Sequence, residues 1–289
     1  MLFLSISKSS KFAFERITGW LGTCSAIRKF TERTLHHLFE RTARGLLPTE
    51  EAKVLAGEVE RIYGEIRSLR RITRNLRNNP AGHIRIVAIT GLGFDLLPRA
   101  IAEFQKNHSE VTFELQTEHF DQLATSLFER ENDIGLAFQP PSRQGLDTIE
   151  LGQAEFACVY SPGMLTSHGE RVSLDELASL PFISMSDRGP LGRIVANELG
   201  QRSDMLEPYI VAETGFIAKS LVAYCGGVTI VDEFTAAADG FQDIAYKKFD
   251  PPVTFSVNAI YVESRPLNNI CAAFLDCFKA VFQSSGSSV

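Results

Sequence analysis

The chain has 289 residues, 44% hydrophobic and 22% charged, which is the composition of an ordinary soluble protein long enough for two domains and a sizeable core. No run approaches the roughly 18 apolar residues needed to cross a bilayer, and the opening MLFLSI is too short for a secretory signal and lacks a basic flank, so no membrane partner is expected. The net charge of -6 hides an asymmetry: residues 1–83 hold 15 Lys+Arg against 8 Asp+Glu, and the remainder 14 against 27.

A basic front on an acidic body suits a polyanion-binding module attached to something else, although a solvated basic face gives the same count. The five cysteines (Cys24, Cys158, Cys225, Cys271, Cys277) are scattered, odd in number and without CxxC spacing. That usage predicts reduced thiols in a cytoplasmic protein.

Residues 1–24 show neither helical periodicity nor strand alternation, being interrupted by Gly19, Gly22 and scattered hydroxyl residues. From Ser25 to Leu35 the pattern is helix-compatible, with Ile27 and Phe30 on one side. A strand-like piece over 38–41, a turn over 43–45 and Leu46-Leu47 then make a two-stranded loop. With Arg41 and Arg44 beside it, this loop has the build of a wing lying along DNA phosphates.

Residues 48–79 are predicted to form one long helix, roughly 45 Å at 1.5 Å per residue. Thr49 can cap its first turn, Glu50 and Glu51 suit the positive end of the dipole, and Asn78-Asn79-Pro80 stops it. Arg67, Arg70, Arg71, Arg74 and Arg77 fall in the last turns, where cations are favoured. Ala52, Leu55, Val59, Ile62, Ile66, Leu69, Thr73 and Leu76 step alternately by three and four, the spacing of a coiled-coil seam. A stripe that narrow predicts pairing with a second copy of the chain; lying along its own domain is the alternative.

The run LFERTARGLLPTEEA over 38–52, followed by a long helix, resembles the LysR-type transcriptional regulators, and the similarity continues to the end of the chain. Amino-acid- and opine-sensing members are the nearest in resemblance. The resemblance implies an α/β protein with a winged helix-turn-helix head (1–48), a linker and dimerisation helix (49–79) and a two-subdomain effector domain (84–289) like the periplasmic binding proteins. One subdomain would combine 84–160 with 257–289, and the other would span 161–256. DNA-contacting residues would be Arg28, Lys29, Arg41, Arg44 and Thr49; dimer-forming residues would be Leu55, Val59, Ile62, Ile66, Leu69 and Leu76.

The head departs from the family pattern. A Ser-Gln-Pro-Ala-Val-Ser motif should open the recognition helix near residues 19–24, where this chain has Gly19-Trp-Leu-Gly-Thr-Cys24. The Gly-Ser-x-Thr-x-Ala-Ala helix that normally precedes it is absent too. An altered or frame-shifted start would produce this partial head.

From His83 onward strands and helices alternate, which predicts open sheets flanked by helices. Strands are expected over 84–89, 111–116, 133–138, 146–151, 156–160, 181–185, 209–212, 228–231, 244–249 and 254–262. Helices are expected over 94–106, 121–130, 191–201, 217–224 and 268–282, with a capping box at Ser173 to Glu176 opening a short one.

In such folds ligands bind beyond the carboxyl ends of strands, where helix N-termini offer free N–H groups. Three junctions carry suitable small polar residues: Thr90-Gly91-Leu92-Gly93, Ser184-Met-Ser186-Asp187-Arg188-Gly189, and Glu213-Thr214-Gly215-Phe216. Each alone reads as a capped turn; three together read as a ligand cleft. The resemblance implies the same three junctions, together with Phe138 and Gln139 at the end of the third strand. Asp187-Arg188 reads as a loop salt bridge, with an acid–base or clamp pair as the alternative, and Arg188 could also hold an effector carboxylate.

Gly91-x-Gly93 lacks the third glycine of a dinucleotide fingerprint, since Leu96 stands there. No nucleophile elbow or metal-ligand spacing occurs, so no catalytic residue, metal or cofactor is expected. The six histidines read as solvated; Cys225, Cys271 and Cys277 read as core, as does the stripe Phe274, Phe278, Phe282.

The expected function is therefore a dimeric or tetrameric DNA-binding regulator. It would sense a small carboxylate or amino acid, with operator DNA, a second copy and RNA polymerase as partners. The alternative is a dimerising sensor whose damaged head no longer reads DNA.

Overall fold

The computed structural model describes residues 39–42, 45–59 and 82–285, apart from 141, 166–168, 179, 201–205 and 242, together with positions 62, 64, 66 and 73. Contacts divide the chain into two units, 1–70 and 71–289.

In the first unit, β1 (Phe39–Thr42) and β2 (Gly45–Pro48) form an antiparallel pair, with Phe39 opposite Pro48 and Thr42 opposite Gly45. This is the two-stranded loop read from the sequence. Helix α1 follows over 50–59 and is again helical at 62, 64, 66 and 73. Thr49 starts it as expected: its Oγ1 accepts from Ala52 N–H at 3.3 Å. Along the seam Ala52 is buried, Val59 and Ile66 are half-buried, and Leu55 and Ile62 are exposed. Leu69 and Leu76, the arginines at 67, 70, 71, 74 and 77, and the head through residue 38 lie outside the described residues.

The second unit opens with β3 (His83–Ala88), whose Ile84 to Ala88 are all buried. Four apolar residues around one buried arginine suit a strand covered on both faces. A single turn α2 (Thr90–Gly93) and helix α3 (Leu96–Gln105) lead to β4 (Thr112–Thr117), α4 (Phe120–Phe128) and β5 (Ile134–Phe138). Strands β4 and β5 lie parallel to β3 on its two sides. A buried bidentate pair ties this sheet together: Arg85 donates through Nη2 to Asp133 Oδ1 at 2.5 Å and through Nε to Oδ2 at 3.0 Å.

Next comes β6 (Leu146–Tyr160), a single strand of 15 residues rather than the two expected. Gly152 suggests a break, yet its bare Cα serves packing: a Cβ there would stand 2.1 Å from the Phe282 ring. Strand β7 (Arg171–Val172) is unanticipated; the turn Leu174–Leu177 after it is a 3-10 helix carrying the expected Ser173–Glu176 capping box.

A second parallel set follows in β8 (Phe182–Met185), β9 (Pro208–Ala212) and β10 (Val228–Asp232), with α5 (Pro190–Leu199) and α6 (Gly215–Cys225) between them. The short helix α7 (Glu233–Ala237), also unanticipated, precedes β11 (Ala245–Phe249), β12 (Thr254–Val262) and the closing helix α8 (Asn269–Ser285).

The two parallel sets are joined through one ladder. Residues 146–155 of β6 pair with β12, which also flanks β5; residues 156–160 pair with β10, and 157–160 with β11. Phe156 and Phe255 pack edge-on at 4.8 Å where the partners change. Phe274 and Phe278 of α8 are fully buried, as the stripe predicts, and Phe282 nearly so.

Three side-chain expectations fail. Cys225 ends α6 in an exposed position, while Cys158 and Cys271 are the buried thiols, each pushed up to about 12 chiefly by burial. His83 is largely covered and shares a 2.7 Å hydrogen bond with Thr112 Oγ1 rather than facing solvent. Asp187 and Arg188 form no ion pair among the described residues. No described helix is long and apolar enough to cross a membrane.

Candidate ligand-binding cleft

The parallel strands β3, β4 and β5 and the parallel strands β8, β9 and β10 direct their carboxyl ends at one cleft of about 340 Å3. Thr90, Glu118, Phe138, Ser186, Thr214 and Asp232 line it, one from the end of each strand or the turn beyond. This is the location that parallel strand order favours for a ligand.

Each junction is held locally. Thr214 caps α6, its Oγ1 accepting from Ile217 N–H at 3.3 Å. A Cβ at Gly215 would meet Val231 Cγ1 at 3.2 Å, so the glycine lets α6 start close against β10. Ser186 N–H donates to Ala212 O at 2.8 Å, joining the ends of β8 and β9. A Cβ at Gly192 would stand 2.0 Å from Ser186 O, so α5 can only begin this close to the loop with glycine there.

The mouth is bridged by aromatic rings. Phe94, before α3, stacks on Phe216 of α6 with centroids 4.7 Å apart. His119 Nε2 lies 3.6 Å from Glu213 Oε1 beside them, both side chains exposed. An exposed pair of this kind contributes little on its own.

The cleft carries both signs of charge. Arg188, Arg193 and His119 line it in exposed positions, as do Glu118, Asp121 and Glu213. Asp232 differs in being 3% exposed, and burial holds its carboxyl above the usual carboxylate range. Its Oδ1 accepts from Thr235 N–H at 2.8 Å and its Oδ2 from Thr235 Oγ1 at 2.7 Å. The nearby cation Lys219 is also buried. It donates to Thr235 O at 3.0 Å, to Ala236 O at 2.8 Å and to Ala238 O, which closes the carboxyl end of α7.

Eight residues singled out in the sequence line this cleft: Thr90, Gly91, Phe138, Ser186, Arg188, Thr214, Gly215 and Phe216. Three do not. Leu92 is fully buried in the core. Ser184 donates to Met185 O at 3.0 Å. Gln139 turns its Oε1 to Ser256, accepting from N–H at 3.0 Å and from Oγ at 3.2 Å, and so fastens the end of β5 to β12.

Sequence reasoning missed Asp232, Thr235, Phe94, Glu118 and Arg193, all of which line the cleft, as does Glu213 of the third junction. A signal existed for the first two. Asp232-x-x-Thr235 directly follows the apolar run Val228–Val231, so it is a further junction of a strand with a capping residue.

Of the residues assigned to DNA, Arg41 lies in β1 opposite Leu46, and Thr49 caps α1. Arg28, Lys29 and Arg44 lie outside the described residues.

Residues 77–283 match the family model described as the LysR substrate binding domain. The chain is 36% identical over 239 residues to the HTH-type transcriptional regulator DgcR of a Pseudoalteromonas species, covering 83% of this chain and 82% of that protein. It is 26% identical over 258 residues to the octopine catabolism/uptake operon regulatory protein OccR of Rhizobium meliloti, covering 89% and 84%. Among solved structures, CbnR, a LysR family transcriptional regulator, aligns with a TM-score of 0.64 at 15% identity over 81% of each chain, a likeness of fold.

Proposed function

The chain belongs to the LysR family of transcriptional regulators, and from that premise we propose that its cleft binds a small carboxylate or amino acid and so controls how the chain engages DNA. The convergence of six strand ends on one cleft carries this reading. A volume of about 340 Å3 suits a small ligand. The start of α6 and the guanidinium groups of Arg188 and Arg193 favour a carboxylate on it. One relative is named for octopine catabolism and uptake, which supports the same class.

In this reading residues 1–48 form the DNA-binding head, 49–79 the dimerisation helix and 84–289 the effector domain. The exposed Leu55 and Ile62 favour pairing of α1 with a second copy. The protein would act in the cytoplasm, where its target DNA lies. Effector binding would shift the closure of the two lobes around the cleft, and with it the separation of the heads in the dimer.

Fluorescence anisotropy with duplex DNA from the region upstream of its own gene tests this, with random duplex as competitor. Competitor-resistant binding, altered by a small carboxylate or amino acid that also binds the protein, is the expected result. Binding that competitor removes and that collapses with salt would reflect charge alone and would overturn it.

One observation favours a second reading. The residues at 19–24 replace the motif that opens the recognition helix in this family. A sensor that dimerises and binds effector without reading DNA would pass the effector half of the experiment and fail the DNA half.

A further inference from the structure

The cleft contains a buried carboxyl group that no described cation meets directly, although Lys219 lies near enough to feel its charge. Asp232 forms no ion pair among the described residues. The Nζ of Lys219 is committed to three backbone carbonyls of α7 and its end. An ammonium has only three hydrogens to donate. The carboxylate is met by neutral donors, the N–H and Oγ1 of Thr235 and its own backbone N–H.

Helix capping does not account for this arrangement. Asn, Ser and Thr start a helix about as well as Asp, and none of them buries a charge. Burying an unpaired carboxylate is costly, and the cost falls when a cation joins it. The bare Cα of Gly91 faces the same carboxylate: a Cβ there would lie 2.9 Å from Oδ1 and 3.0 Å from Oδ2.

The rest of the lining decides what kind of cation fits. Arg188 and Arg193 line the cleft together with Glu118, Asp121 and Glu213, so groups of both signs face a ligand there. A zwitterion satisfies both ends.

We propose that Asp232 is the specificity-determining residue of the cleft: it receives the ammonium group of an α-amino acid whose carboxylate is held on the side of Arg188 and the start of α6. The assignment rests on the effector-binding reading above and narrows it from carboxylates in general to amino acids. The ligand's ammonium gives the carboxylate a directly bonded cation, so binding relieves a destabilised site in the free protein. A carboxylic acid of the same skeleton without the amine leaves Asp232 uncompensated and is rejected.

Isothermal titration calorimetry of the full chain tests this. The probes are the common L- and D-α-amino acids, together with their deaminated carboxylic acids of identical skeleton. At least one amino acid is expected to bind, with its deaminated counterpart weaker by about 100-fold, as for loss of a charged hydrogen bond. In Asp232→Asn, checked for fold by circular dichroism, the affinity for that amino acid falls about 100-fold and the preference for the amine disappears. The comparison of ligand pairs on the unaltered protein stands even where the variant misfolds.

Equal affinity for an amino acid and its deaminated acid overturns the assignment, as does an Asp232→Asn variant that binds the amino acid like the parent. Binding by no amino acid in the panel overturns it too. A deaminated acid that binds and still changes the DNA anisotropy would remove the ammonium site while leaving the effector-controlled regulator intact.

Discussion

Gly91 and Asp232 occupy each other's space: a Cβ at position 91 would lie within 3.0 Å of both carboxylate oxygens and 3.1 Å from Thr235 Oγ1. The first turn after β3 and the end of β10 can therefore meet only if residue 91 has no side chain. The contact links the ends of the two parallel strand sets that line the cleft.

Gly91→Ala is accordingly expected to push Asp232 and Thr235 out of register. Overpacking of this kind costs about 1–3 kcal/mol. Urea unfolding should show that loss, and effector affinity should fall at least about tenfold because the floor of the cleft moves. Unchanged stability and affinity would mean that α2 shifts freely and the contact is incidental.

Asp232 also predicts a pH dependence. Burial raises its folded value above the ordinary 3.8. Between 3.8 and the folded value the folded chain keeps a proton that the unfolded chain has released. Stability from this group therefore falls as pH rises through that window and stays reduced above it. Each unit of elevation corresponds to about 1.4 kcal/mol. Asp232→Asn removes the penalty while keeping a capping side chain. In effector-free protein refolded from denaturant, the variant should be the more stable near pH 7, and its advantage should shrink toward pH 4. An advantage for the parent at pH 7 would show the carboxylate to be a favourable cap.

Much of this site was legible in the sequence because it depends on local grammar. An apolar strand followed by small polar residues and a helix marks a ligand junction, and Thr90, Ser186 and Thr214 were found that way. Asp232 escaped because α7 has only five residues, too few to show a helical period. Phe216 is marked by its junction, whereas Phe94 reads as an ordinary apolar residue; their stack exists only once β3 and β9 end at one cleft. The unbroken β6 was hidden for a related reason. The sequence reads as two strands over 146–151 and 156–160, and only the packed fold shows that Gly152 continues the strand while Phe282 claims the space above it.

Stability of the first parallel sheet should depend on Asp133. It receives three hydrogen bonds from Arg85, two from the guanidinium and one from the backbone N–H at 3.1 Å. Arg85 is only 6% exposed, so Asp133→Ala leaves an uncompensated guanidinium against the core. Loss of one partner of a buried pair costs about 3–5 kcal/mol. A drop of that size in the urea midpoint with an unchanged m-value is expected. A change below about 1 kcal/mol would mean that the acceptor Arg130 O, 2.9 Å from Arg85 Nη1, suffices for the guanidinium.

The Phe94–Phe216 stack joins residues that follow β3 and β9 at the cleft, so its energy would enter any opening of the cleft directly. Aromatic pairs contribute about 0.5–1.5 kcal/mol beyond the area they bury. A double-mutant cycle with Phe94→Ala and Phe216→Ala should recover a coupling in that range in unfolding measurements on effector-free protein. Because the stack favours the closed arrangement before any ligand arrives, breaking it lowers the population competent to hold effector. Apparent effector affinity should then fall by the same factor as that population, with the double variant no worse than the weaker single one. Additive losses in both measurements would show that the rings merely cover apolar surface independently, and that closure is set by the ligand alone.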